Sequence, residues 1–193
     1  MATILILQGH PDPAGGHLCH ALADAYAIGA MAAGHAVLRV DVGRLDLPLL
    51  RSQHDFLHAP PPHALAAARA ALVEAEHVAL FFPLWLGGMP AVLKGFLEQL
   101  LRPGFAFDYV DGGGTLMLLE GRSARVVVTM GMPAFVFRLW YLGAGLSALT
   151  RNILGFVGFS PVRSTVLGGV EAAGEATRRR WLERMEALGR AAR

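Results

Sequence analysis

A chain of 193 residues, 54% hydrophobic and 17% charged, is long enough for one domain with a single large core and too apolar for global disorder. Its formal charge of +2 gives no electrostatic case for binding nucleic acid or an anionic membrane. Cys19 is the single cysteine, so no intramolecular disulfide forms, in keeping with a reducing cytoplasm.

The elements follow from the apolar pattern. Thr3 to Leu7 is a strand apolar on both faces, as a parallel sheet requires. A loop from Gly9 to Gly16 leads to a helix from Leu18 to Ala33, which Gly34 ends. His35 to Val40 is the second strand, and Asp46 to Pro62, rich in His and Pro, is an irregular excursion. A helix over Ala64–Ala75 precedes the third strand, His77 to Phe82. The helix Pro90 to Leu101 starts on a proline, which lacks only an N–H that a first turn does not use.

Arg102 to Glu120 is glycine-rich and reads as a long loop before the fourth strand, Ala124 to Thr129. A helix over Leu146–Phe156, a fifth strand over Ser164–Leu167 and a helix over Glu175–Arg190 complete the chain. The last helix places Trp181, Met185 and Leu188 on one stripe. Strand and helix alternate throughout, which predicts a three-layer α/β sandwich: a five-stranded parallel sheet of order 2-1-3-4-5 with helices on both faces. Residues 1–193 are read as one domain.

No basic n-region opens the chain, and Ile4 to Leu7 is too short for a signal h-region. The apolar region Phe135 to Phe159 is interrupted by Arg138 and Arg151, leaving too short a run to cross a bilayer. It reads as core or interface.

Ligands of such sheets bind beyond the carboxyl ends of the strands. Three loops meet that description. Gln8 to Ala21 joins strand one to a helix N-terminus, where free N–H groups and the helix dipole favour an anion. It lacks both the Gly-x-Gly-x-x-Gly pattern and the P-loop Lys. His10, His17 and His20 lack a convincing fourth ligand for zinc, and Cys19 reads as a small packing residue. Pro83 to Gly88 is a tight apolar loop in which Trp85 suits a planar guest. Thr129-Met130-Gly131-Met132-Pro133 follows strand four.

These residues carry a resemblance. Pro83-Leu84, Gly88, Pro90-Ala91 and Leu93-Lys94-Gly95 resemble the flavin-contacting loop of the flavodoxin-like NAD(P)H:quinone oxidoreductases, and Thr129 to Gly158, with the stretch Arg151 to Phe159, resembles a bacterial subgroup of that family. His10-Pro11 resembles the family's His-Pro loop, which holds the flavin phosphates and ends in Ser-Phe-Asn; here His17-Leu18-Cys19 stands at those positions. Thr129 and Gly131 match the family's Thr-Thr-Gly-Gly, whereas Met130 and Met132 do not.

The resemblance implies that His10, His17, Leu18, Cys19, Pro83, Leu84, Trp85, Leu86, Gly87, Thr129, Met130 and Gly131 hold the cofactor. It implies FAD, with FMN as the alternative, and NAD(P)H as hydride donor to a quinone or similar acceptor. It further implies a cytoplasmic homodimer whose active site lies at the subunit interface, with Phe135, Phe137, Trp140 and Tyr141 near that contact. Tyr141 is the one candidate proton donor, weighed against an aromatic packing stripe. Some relatives are flavin-binding accessory subunits of potassium-efflux systems, which is the alternative function.

Overall fold

The computed structural model describes residues 1–192. Its elements are β1 (Thr3–Gln8), α1 (Leu18–Ala32), β2 (Ala36–Asp41), α2 (Gln53–His58), α3 (Ala66–Glu74), β3 (His77–Pro83) and α4 (Ala91–Leu100). There follow β4 (Phe107–Tyr109), β5 (Thr115–Met117), β6 (Ser123–Met130), α5 (Ala134–Leu139), α6 (Ala144–Ser147), a π-helix (Ala148–Gly155), β7 (Val162–Gly168) and α7 (Glu175–Arg190). The main sheet has five strands in the order β2-β1-β3-β6-β7, every pairing parallel. With the short β4–β5 hairpin set aside, this is the expected order 2-1-3-4-5.

Period-two alternation divides the core. Leu5, Leu7, Val78, Leu80, Phe82, Val126 and Val128 face a layer built from α3, α4 and the π-helix, with Leu72, Phe96, Leu100 and Leu149 among its buried side chains. Ile4, Ile6, Ala79, Phe81, Val127 and Leu167 face the other layer, where α1 supplies Leu22 and Tyr26 and α7 supplies Met185. Glycines bring those two helices together. A Cβ on Gly29 would strike the backbone of Glu186, and one on Gly189 the backbone of Tyr26.

Local structure differs from the sequence reading in three places. The excursion before α3 contains α2, whose Ser52 side chain caps it by accepting from Asp55 N–H. The buried Arg102 guanidinium donates to the carbonyls of Asp55, Phe56 and Ala59 and so ties this segment down. The glycine-rich stretch before β6 contains the β4–β5 hairpin, turned by Gly112, Gly113 and Gly114, all at positive φ. Finally, α5 begins directly after Pro133, and the segment read as one helix over Leu146–Phe156 is largely π-helical. Thr150 Oγ1 donates there to the Leu146 carbonyl.

At the amino end of the sheet His77 is buried, with Nε2 2.9 Å from the Tyr26 hydroxyl and Nδ1 2.8 Å from Ser123 Oγ. Burial, reinforced by the cations of Arg125 and Arg163, pulls its pKa down to about 4. Among the described residues no helix is long and apolar enough to cross a membrane.

Candidate functional site

The site forms where β1, β3 and β6 end. Gln8 anchors the first loop: its Nε2 donates to the Cys19 carbonyl at 3.1 Å, and its Oε1 accepts from His10 N–H at 3.0 Å. Gly9 N–H donates to the Phe81 carbonyl at 2.7 Å, which ties the loop to β3. His10 is only 8% exposed. Its Nδ1 accepts from Asp12 N–H at 3.1 Å, so the neutral ring carries its proton on Nε2. That Nε2–H has no partner among the described residues. A second proton on the ring would break the bond to Asp12. Burial and the neighbouring His17 and His20 rings hold the His10 pKa down to about 4.

His17 stacks on His10 with ring centroids 4.0 Å apart and planes 16° apart. Its Nε2 lies 2.8 Å from Asp12 Oδ2. This contact and the Ala14 N–H lower the pKa of Asp12. His17 is also the N-cap of α1 but makes no side-chain capping bond; His20 N–H donates to its carbonyl at 2.9 Å, and among the described residues no side chain caps the Leu18 and Cys19 N–H groups. His20 completes a triad of rings, 5.0 Å from His10 and 5.6 Å from His17. Cys19 is buried beside Gln8, and burial pushes its thiol up to about 12, which makes it a packing residue rather than a nucleophile.

The second loop leaves β3 as Leu84 N–H donates to the Thr129 carbonyl at 2.8 Å. Trp85 and Gly88 then pair across a two-residue turn in which Leu86 and Gly87 have φ of 47° and 79°. A turn with both central residues at positive φ suits a tight hairpin and favours glycine. Gly145 of α6 packs against the Gly87 carbonyl with no room for a Cβ. The third loop leaves β6, where Met130 and Met132 accept from the N–H groups of Val170 and Gly169.

These loops enclose a cavity of about 350 Å³ lined by His10, His17, Leu18, Cys19, Pro83, Leu84, Trp85, Thr129, Met130, Gly131, Val170 and Glu171. That volume is within the range of ~300–1,000 Å³ usual for small-molecule sites. The structure thus gathers the sequence candidates, except that Leu86 and Gly87 stand at the turn apex and do not line the cavity. Val170 and Glu171 were not anticipated. Only the topology, which ends β7 at the same sheet edge, points to them. A second, polar cavity of about 210 Å³ shares His10 and is walled by Gln8, His20, Asp24, Arg39, Asp41 and Arg44.

The donor set fits a phosphorylated flavin. An unpartnered N–H on the mostly buried His10 ring and a helix N-terminus without a side-chain cap suit an anionic phosphate. The apolar walls at Pro83, Leu84, Trp85 and Met130 suit a planar ring. Tyr141 is placed differently: its side chain is 48% exposed and outside the cavity lining. Phe137, read as part of an interface, is buried in the core at 1% exposure because the first turn of α5 folds back on the sheet. Phe135, Leu139, Trp140 and Leu142 stay exposed at 65%, 75%, 81% and 78%.

Comparison with known proteins agrees with this geometry. A family model described as flavodoxin-like fold matches residues 2–188. The FMN-dependent NADH:quinone oxidoreductase of Nitratidesulfovibrio vulgaris strain DP4 is 30% identical over 216 aligned positions, covering 100% of this chain and 98% of that protein. An uncharacterized NAD(P)H oxidoreductase of Haemophilus influenzae is 25% identical over 135 positions, which span 69% of this chain but 59% of its own length. The crystal structure of Smu.1420 from Streptococcus mutans UA159 superposes with a TM-score of 0.83 at 25% identity, covering 98% of this chain and 99% of that one.

Proposed function

The chain belongs to the flavodoxin-like fold family that matches residues 2–188, and on that premise we propose that it is a flavin-dependent oxidoreductase passing hydride equivalents from NAD(P)H to a quinone or similar acceptor. The observation that carries the reading is the cavity itself. It joins an anion-ready end, His10 and the α1 N-terminus, to apolar walls from the loops after β3 and β6. The bound flavin supplies the hydride chemistry; the protein supplies position and electrostatics. His10 and the first turn of α1 would hold the phosphate. The Pro83–Trp85 and Thr129–Gly131 segments, which line the cavity, would take the ring.

FMN is the flavin we propose, in place of FAD as first inferred from the sequence. The relative that matches this chain end to end is named FMN-dependent, and NADH is the donor in its name. The oxidoreductase names of both curated relatives give no support to an accessory transport subunit. No proton donation is assigned to Tyr141, given its exposure.

We take the chain to be one cytoplasmic domain that pairs into a homodimer. Leu86, Phe135, Leu139, Trp140 and Leu142 are large apolar side chains left exposed, which a partner subunit would cover. Reconstitution tests the proposal: the purified chain with FMN should show flavin absorbance, a raised Tm and NAD(P)H-dependent reduction of a quinone. Absence of flavin binding would overturn it.

A further inference from the structure

The stacked histidines at the anion end have a property that a serine or asparagine there would lack: one of them can change charge. We propose that His17, oriented by Asp12, takes up a proton when the flavin phosphate binds, so that this chain discriminates phosphorylated from unphosphorylated flavin by a proton-linked contact. The inference rests on the flavin reading above and concerns which residue meets the phosphate and in which charge state.

The geometry separates the roles of the rings. His10 is committed to the neutral form, because its Nδ1 accepts from the Asp12 N–H while its Nε2–H has no partner among the described residues. It is a fixed donor on a ring that lines the cavity. His17 is not committed in that way. Its Nε2 faces the Asp12 carboxylate at 2.8 Å, an arrangement that accepts a proton on the ring without breaking any bond. Its ring lies flat against His10, so both edges reach the same end of the cavity. The nearby α1 N-terminus has no side-chain cap of its own.

The charged surroundings leave His17 as the group that responds. On α1, His20 is 5.6 Å from its ring, and Asp24 is bound to Arg39. On β2, Arg39 is also paired with Asp41 at 3.0 Å, so its charge is compensated. Beyond β2, Arg44 is exposed and lies 3.8 Å from Asp41. After β7, Glu171 lines the far side of the cavity beside Gly131. His20 is held neutral-leaning by burial and by His17, and its Nδ1 is buried without a partner. A phosphate held by His10 and the helix end would have beside it the His17 ring, stacked on His10 and already oriented by the Asp12 carboxylate. The anion favours the imidazolium, so binding takes up a proton and weakens as pH rises.

The experiment compares FMN and riboflavin, titrated by fluorescence quenching from pH 6.5 to 8.5 in wild type, His17→Asn, His17→Lys and Asp12→Asn. Asparagine is a good N-cap, so the first variant keeps the helix start. The FMN Kd of wild type should rise with pH more steeply than that of His17→Asn, by up to ~10-fold per pH unit for a fully linked proton. The comparison with His17→Asn subtracts the titration of the FMN phosphate itself. His17→Lys should retain tight FMN binding and lose the excess slope, and Asp12→Asn should flatten it. Riboflavin affinity should show no such slope in any variant. Calorimetry in two buffers of different ionisation enthalpy should report more proton uptake per FMN in wild type than in His17→Asn. Equal slopes and equal proton uptake in wild type and His17→Asn would overturn the inference while leaving flavin binding intact. Failure of FMN and riboflavin alike to bind wild type would overturn the flavin reading itself.

Discussion

Replacing His10 by asparagine separates its two roles. In the wild-type fold Nδ1 accepts from Asp12 N–H at 3.1 Å, and Nε2–H is a donor with no partner among the described residues. Asparagine Oδ1 can accept from the N–H two residues on, in the manner of an Asx turn, but its amide cannot reach where Nε2 points. The turn is therefore preserved, and apo stability should change by no more than ~1 kcal/mol, the net worth of one hydrogen bond. The donor to the phosphate is lost. A hydrogen bond to a charged group contributes ~1.5–3 kcal/mol, so the FMN Kd should rise ~10- to 150-fold. Because burial and the neighbouring His17 and His20 rings hold the wild-type pKa down to about 4, the ring is the same neutral donor at pH 6 and pH 8, and the loss should be equal at both. Riboflavin affinity should not change. The assay is FMN and riboflavin titration by fluorescence, with urea unfolding of both apoproteins to check the fold. Unchanged FMN affinity, or equal loss for FMN and riboflavin, would refute the assignment of His10 to the phosphate.

Three further outcomes are expected. His77 is buried with its pKa lowered to about 4, against 6.5 for a free histidine; stability is therefore full above pH 6.5, falls between 6.5 and 4, and levels off below. That step is worth ~3 kcal/mol at most, and His77→Gln should reduce it in urea melts across this range. Gly87→Val forces a β-branched residue to a φ of 79° with open space around it, so the cost is backbone strain of ~1–3 kcal/mol, read as a lowered urea midpoint of the apoprotein, with the FMN Kd changed only as far as the turn shifts Trp85. Leu139→Asp or Trp140→Asp should convert the proposed dimer to monomer in sedimentation with Tm little changed. Phe137→Asp, by contrast, should unfold the chain because Phe137 is in the core. A wild type that sediments as a fully active monomer would remove the dimer proposal.

The sequence alone determined the sheet and its edge. Strands such as Thr3–Gln8 and His77–Pro83 are buried on both faces, and that double burial writes a continuous apolar run that needs no tertiary knowledge to read. Glycine and proline marked the joints, and the joints of an open α/β sheet are where ligands sit, so the loops after β1, β3 and β6 were legible too. What the tertiary structure decided depends on relations between distant segments. The β4–β5 hairpin was hidden because its strands are three residues each, too short for a periodic signal. Phe137 and Trp140 look alike in sequence, yet α5 turns one into the core and the other into solvent. Glu171 joins the cavity only because β7 ends beside β6. The partners of the histidines follow from three-dimensional placement alone: His10 is made a fixed neutral donor by one backbone N–H, and His17 is given a carboxylate partner by the fold of the same short loop.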